Sequence, residues 1–451
     1  MRIEYIKKDI FIFIEIFFMI FLSWTLVNDF NKLIILIISI IIIFLLLEKT
    51  KYIFLYYVII AILFYEWFLE YIVFTIGSAK VYPIDLVVIS LLFYVLFNSL
   101  IKSNNKLFII KSNIFFILYL IWGFIAILRG IPKYGYSAIG ESRWYVNNII
   151  FYLFILYSFK NKSDIKWFLK KMPLIITVML LINFISFYFL GGNIGAQGRW
   201  AFRFIFATRA LITSFLLITV YYLYLNNEVK INNIFLYFFL FILTLIVIIT
   251  QHRSVWIASV VGVIYIYLYK KKGLIKGFLP ILISFILLIS SAPIIGEYIG
   301  FSVNKNIEKS AKFIENPVED PTGHWRITGW KQELAKAYSH PILGAGLGGY
   351  SYWFVNGYWT RVAIHNGYIM MFSKFGLIGV VLFFLGVFFW FRETKEYINN
   401  IDKKININIA VAIRILVIMH LIYAMFYDFT MFFWILLGIG SVFPLRTKVF
   451  V

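Results

Sequence analysis

The chain contains no cysteine, which excludes disulfides, a thiolate nucleophile and cysteine-ligated metals on whichever side of a membrane its loops face. Charge is scarce: Asp, Glu, Lys and Arg make up 14% of 451 residues, and the acids number only 21. A soluble fold of this length needs far more polar surface, so that class is excluded. Proline occupies nine positions, and no Pro-rich or Gly/Ser linker, fixed-period repeat or low-complexity tail divides the chain. What fills the sequence is apolar, 62% hydrophobic and 21% aromatic. Runs of the roughly 17–25 residues that a helix needs to cross about 30 Å of hydrocarbon recur along the whole length. The expected solvent is lipid. A net charge of +21 would suggest nucleic acid in a soluble protein. Here the lysines sit in short clusters between apolar runs, so topology accounts for them and no nucleic-acid partner is expected.

The pattern predicts an all-α polytopic membrane protein with about 14 (12–14) transmembrane helices. The spans fall near 10–28, 33–47, 52–72, 84–100, 113–129, 146–159, 173–190, 206–225, 233–250, 254–269, 277–294, 366–391, 406–424 and 429–444. The first run follows Lys7 and Lys8 without a small-residue cleavage site, and reads as a retained helix. Of the 42 Lys and Arg, 24 fall on the side that includes both termini, 17 on the other, and Arg414 lies within a helix. By the positive-inside rule the first side, and with it both termini, is cytoplasmic. Residues 1–451 then form a single transmembrane domain. One long extracytoplasmic loop, 295–365, carries two short surface helices at 303–315 and 323–339.

Sorting the cations by type is more informative than counting them. Lysine is the default cation of this chain, yet the outer group holds eight arginines in 17 and the cytoplasmic group three in 24. The outer eight are Arg129, Arg143, Arg199, Arg203, Arg209, Arg253, Arg326 and Arg361. A guanidinium presents a rigid fork that matches phosphate or carboxylate, which an ammonium does not. A polyanionic ligand explains the group; snorkelling or pairing with an acid at the membrane edge explains any single member.

Arg253 lies in the polar knot Thr250-Gln251-His252-Arg253-Ser254 between two apolar helices, where an idle charge is costly. Arg326 lies in His324-Trp325-Arg326, on a helix that Asp320 or Thr322 is placed to cap. A cation in the first helical turn opposes the helix dipole, which suggests an anion shared by the two, or else a local bridge to Glu319 or Asp320. His365 opens the last long helical run, where a general base can meet a lipid-linked substrate, or where the residue can simply cap the helix. The five histidines are not spaced as a zinc site, and the stretch Gly344-Ala345-Gly346-Leu347-Gly348-Gly349 lacks the lysine and hydroxyl of a phosphate loop. No metal and no cofactor are expected, and the glycine stretch reads as a tight loop.

The order Arg326, Trp330, His340-Pro341-Ile342-Leu343-Gly344-Ala345-Gly346-Leu347-Gly348, His365-Asn366-Gly367-Tyr368, Phe375-Gly376-Leu377-Ile378-Gly379 resembles the signature loop of the O-antigen ligase and polymerase superfamily of bacterial membrane glycosyltransferases. Thr250-Gln251-His252-Arg253-Ser254 resembles that family's Ser-Arg motif with His252 in place of serine, and Tyr82-Pro83-Ile84-Asp85 resembles an early element. The resemblance implies a glycosyltransferase C-type fold in the bacterial inner membrane, acting at the extracytoplasmic face. It implies an undecaprenyl-pyrophosphate-linked glycan donor and a glycan or lipid A core acceptor, with a flippase and a chain-length regulator as further partners. Arg253 and Arg326 then match residues that hold the pyrophosphate, with Arg143, Arg199, Arg203 and Arg361 as further substrate-binding candidates, and His365 matches the catalytic base.

Polymerase is slightly favoured over the alternative, a ligase attaching glycan to lipid A core. The chief rival from another class is a flippase of lipid-linked oligosaccharide. It explains the many helices but not the clustering of arginine on one face rather than around a midplane cavity. A cell-wall polymerase of the shape-and-division type predicts about ten helices and an acid as the leading loop residue. A scaffold leaves the arginine partition unexplained.

Overall fold

The computed structural model describes residues 74–76, 79–81, 83–100, 109–159, 165, 172–173, 175–177, 179–180, 207–226, 232–249, 252–270, 321–355, 358–361, 364–400 and 404–449. The spans expected at 10–28, 33–47, 52–72 and 277–294, most of 173–190, and the surface helix at 303–315 lie outside them. A hairpin of β1 (Phe74–Ile76) and β2 (Ala79–Val81) leads into α1 (Pro83–Leu100), with α2 (Lys111–Tyr134) and α3 (Ser137–Ser158) following. Next come α4 (Ala207–Leu225), α5 (Asn233–Ile249), α6 (Arg253–Lys270) and α7 (Pro321–Ser339). A second hairpin, β3 (Tyr352–Val355) and β4 (Tyr358–Arg361), precedes α8 (Gly367–Asn399), α9 (Lys404–Tyr423) and α10 (Met431–Val449). The architecture is thus all-helical in class, as expected, with two short antiparallel hairpins beside the helices.

Three of these helices, α2, α4 and α8, are long and apolar enough to cross a membrane. Shorter apolar stretches fill α5, α6, α9 and α10. The centre is built by α3 and α10, which pack together and are buried over most of their circumference. Trp434 of α10 meets the rings of Phe116, Tyr119, Tyr152 and Phe383. The outer faces are the opposite of a soluble bundle's. Leu118, Ile121, Ile125 and Leu128 stand exposed along α2, and Leu377, Val381, Phe384 and Phe388 along α8. Their three-to-four-residue spacing makes continuous apolar stripes, the surface that hydrocarbon solvates.

Helices α2 and α8 pack side by side in opposite directions. At one end the start of α2 meets the far half of α8, where Glu393 accepts the Lys111 backbone N–H at 2.6 Å and the Ser112 hydroxyl. At the other end the last turns of α2 meet the chain that links α7 to the hairpin, through the Leu347 N–H and the Ala126 carbonyl at 3.1 Å. The loop and the candidate site described below lie at this second end.

Candidate functional site

A helix of 33 residues would be about 50 Å long, well beyond a bilayer's hydrocarbon core, and α8 is in fact broken. Gly376 has φ 63° and ψ −167°, a conformation essentially reserved to glycine. The break frees backbone groups that an apolar environment cannot leave unpaired. The loop 341–347 takes them up. The Ser373 and Lys374 carbonyls accept the Ala345 and Gly346 N–H groups at 2.8 and 3.1 Å, and the Leu377 and Ile378 N–H groups donate to Pro341 and Ile342 at 2.8 and 3.3 Å. The indole of Trp122 donates to the Phe375 carbonyl at 2.8 Å. The two glycine-bearing stretches are therefore one structural unit: the first fills the gap in the second.

This docked loop sits on a buried ionic network. Glu333 of α7, 1% exposed, accepts Lys336 Nζ at 3.0 Å and the Ser351 and Ser373 hydroxyls. Lys374 of α8, equally buried, donates to the Gly349 carbonyl at 2.6 Å and pairs with Glu141 of α3 at 3.2 Å. Glu141 in turn accepts the Gly348 N–H. Burial alone would push the Glu333 carboxyl up, but the charges of Lys374 and Lys336 and the two hydroxyls outweigh it and hold the group below its ordinary value near 4.5. A carboxylate whose folded pKa is depressed contributes stability that is present above the unfolded value and lost as pH falls through it to the folded one. Glu333→Gln is expected to lower stability at pH 7 by about 3 kcal/mol, since it takes the buried carboxylate away from half-buried Lys336, from the Ser351 and Ser373 hydroxyls and from the field of Lys374. Its melting temperature should approach that of wild type below pH 4.5, and thermal unfolding of both proteins from pH 7 to pH 3.5 checks this. A gap that stays constant with pH would remove Glu333 from the network's energetics.

Around the end of α9 a second cluster forms. Tyr427, in the turn between α9 and α10, has the His365 ring 5.1 Å from its own, the His252 ring 6.4 Å away edge-on, and the Arg326 guanidinium over it at 5.7 Å. These three come from the approach to α8, the start of α6 and the second turn of α7. The turn is tied down by its backbone, because the Gly367 N–H is shared between the Ala424 and Tyr427 carbonyls at 2.9 and 2.8 Å. The Trp330 indole donates to the Ile364 carbonyl at 2.8 Å and anchors α7 beside His365. His365 adopts φ 46°, the sole positive φ among the described non-glycine residues. The conformation is mildly costly for an L residue, and such outliers gather at functional sites. It does not cap α8: the Asn366 side chain does, accepting the Tyr368 and Ile369 N–H groups at 3.1 and 3.0 Å.

The arginines that composition grouped together divide by partner. Arg143 aims Nε at both oxygens of Asp85, at 2.8 and 2.9 Å, which ties α3 to the first turn of α1. Arg129 donates to the Leu343 and Gly344 carbonyls, and Arg209 is buried in α4. Arg253 is the first residue of α6, beside buried His252. Arg361 ends β4 opposite Tyr352; Arg199 and Arg203 lie outside the described residues. The buried Nε of Arg326 has no hydrogen-bond partner among the described residues. A π face holds a cation without occupying its N–H donors.

One expectation needs correcting. The helix of Arg326 begins at Pro321, which puts the arginine in the second turn, where the dipole has largely decayed. Arg414 has its guanidinium 5.4 Å from the Phe391 ring, and His420 accepts the Thr430 N–H at 3.2 Å. Sequence reasoning missed Tyr427 and the acids Glu141 and Glu333.

Comparison with curated proteins finds no match to the chain. Residues 238–384, however, match a family model described as O-antigen ligase. The matched stretch runs from within α5 to the middle of α8 and takes in His252, Arg253, Arg326, the glycine loop, His365 and the break at Gly376. The apolar helices and this match together describe a membrane protein, and across residues 238–384 it carries a domain of the O-antigen ligase family.

Proposed function

We propose that the protein is a membrane glycosyltransferase that uses an undecaprenyl-pyrophosphate-linked glycan at the extracytoplasmic face, with His365 as general base and Arg326 and Arg253 as holders of the pyrophosphate. The observation that carries the proposal is the convergence of His365 and Arg326 on the Tyr427 ring, inside the stretch that matches the O-antigen ligase family. The transfer is balanced without a metal. His365 takes the proton from the acceptor hydroxyl, that oxygen forms the new bond to the sugar's anomeric carbon, and the bond from that carbon to the pyrophosphate oxygen breaks. The charge released on the lipid pyrophosphate is met by the guanidinium groups. The chain is taken as a single transmembrane domain of the bacterial inner membrane, with 295–365 as its extracytoplasmic loop and both termini in the cytoplasm.

Acceptor identity separates a polymerase from a ligase, and polymerase is the version put forward, with a flippase and a chain-length regulator as its working partners. The test is to incubate purified protein with one lipid-linked repeat unit and nothing else. A ladder of products establishes polymerisation; no ladder, with transfer appearing once lipid A core is added, assigns the protein as a ligase. In the same assay Arg326→Lys and Arg253→Lys are each expected to lose about 10²–10³-fold in kcat, because a point charge does not reproduce bidentate contact with the leaving group. Wild-type turnover in both variants would leave these arginines a structural role only.

A further inference from the structure

Tyr427 lies beyond the segment that matches the family, which ends at residue 384, yet it is the group on which three chain-distant candidates meet. Its surroundings are built. Tyr423 stacks on it with rings 4.9 Å apart and 8° from parallel, and its backbone N–H donates back to the Tyr423 carbonyl at 3.1 Å. Tyr423 itself packs against His420, which the Thr430 N–H holds in place from the start of α10. The Tyr427 carbonyl takes the Gly367 N–H at 2.8 Å, and Gly367 is two residues from His365. Ring and imidazole are thus fixed to the same short stretch of backbone, and the guanidinium reaches the ring from another helix.

We infer that the Tyr427 ring is the positioning surface of the transfer site, setting the Arg326 guanidinium and the His365 imidazole at a fixed separation. The inference rests on the glycosyltransferase reading above and names the residue through which its two halves are held in register. The ring is suited to this because it attracts a cation and packs an imidazole without competing for the donors and acceptors that either needs for substrate. A carboxylate in the same place would hold Arg326 more strongly, as Asp85 holds Arg143, but would occupy its fork. The work is assigned to the π face, not to the hydroxyl.

The test uses full-length protein in lipid nanodiscs, with one lipid-pyrophosphate-linked repeat unit as donor and acceptor, and kcat expressed per donor-binding site counted on the same preparation. Tyr427→Leu is expected to lose about 100-fold in kcat, the size of effect that a misplacement of about 1 Å produces, while KM for the donor changes less than tenfold. Tyr427→Phe, which restores the ring without the hydroxyl, is expected to recover kcat to within about threefold of wild type. A purely structural role would lower the number of donor-binding sites and leave kcat per site unchanged. Should the leucine variant retain no sites, Tyr427→Met fills similar volume and decides in its place. Wild-type kcat in the aliphatic variant, or equal losses in the phenylalanine and leucine variants, overturns the inference. Wild-type turnover in His365→Asn together with Arg326→Lys overturns the underlying assignment instead, whatever Tyr427 does.

Discussion

His365→Asn is expected to reduce transfer by about 10²–10⁴-fold, the range that a positioned general base contributes, while donor binding and the melting temperature stay near wild type. Asparagine is the informative replacement because it tolerates the left-handed backbone that His365 adopts at φ 46°. It also retains hydrogen-bonding capacity, so what is removed is the titratable imidazole and little else. The rival role, capping of α8, already has an occupant in Asn366. Single-turnover kinetics with labelled donor, beside equilibrium binding of the same donor, separate the two steps. Turnover close to wild type in His365→Asn would end the general-base assignment. Loss of donor binding as complete as that of Arg326→Ala would move His365 to the pyrophosphate side of the site.

The bodies of the helices were legible because apolar runs of membrane-crossing length have few alternative structures. α1, α4, α5 and α6 begin and end within a residue or two of where hydropathy places them. The break in α8 was not. Phe375-Gly376-Leu377-Ile378-Gly379 is apolar and continuous with its flanks, and what stabilises a break there is a loop about thirty residues upstream, invisible to any local window. The β3–β4 hairpin did have a local signal, Asn356-Gly357 between two aromatic runs, which is the turn chemistry that a two-residue hairpin favours.

Within the site, Arg326 and His365 stood out because each is a rare residue type in its surroundings, in a stretch with a family pattern. Tyr427 could not stand out, being one of 31 tyrosines in a turn whose importance comes only from what folds against it. The arginine partition groups residues by type and there reaches its limit. Arg129, Arg143 and Arg326 share a residue type, but carbonyls, a carboxylate and a ring are different partners, and only a fold assigns them. Likewise Glu333, Lys374 and Glu141 are unremarkable in sequence, and their contacts join α7, α8 and α3 across about half the chain.

Gly376→Ala is expected to be the most damaging single substitution for the architecture of the site, although residue 376 touches no proposed substrate group. An added Cβ at this position would overlap the Ile342 carbonyl oxygen and the Gly344 nitrogen, which are backbone atoms with no side-chain freedom to yield. The φ and ψ of the position add a penalty of their own, and strain with overpacking together cost about 3 kcal/mol or more. Closing α8 into a continuous helix would relieve this. Doing so withdraws the Ser373 and Lys374 carbonyls from Ala345 and Gly346, and the Leu377 N–H from Pro341. The loop then leaves the buried network, and with it go the contacts of Gly348 and Gly349 to Glu141 and Lys374. Gly344→Ala attacks the same joint from the loop side, where φ is 75° and a Cβ would run into the Lys374 carbonyl. The two variants should therefore share a phenotype, with a lowered melting temperature and new proteolytic cleavage between residues 340 and 350. Their costs should fail to add in the double variant, since each breaks the same docking. Full additivity, or a stable Gly376→Ala protein with an uncleaved loop, would mean that the break in α8 and the glycine loop do not depend on one another.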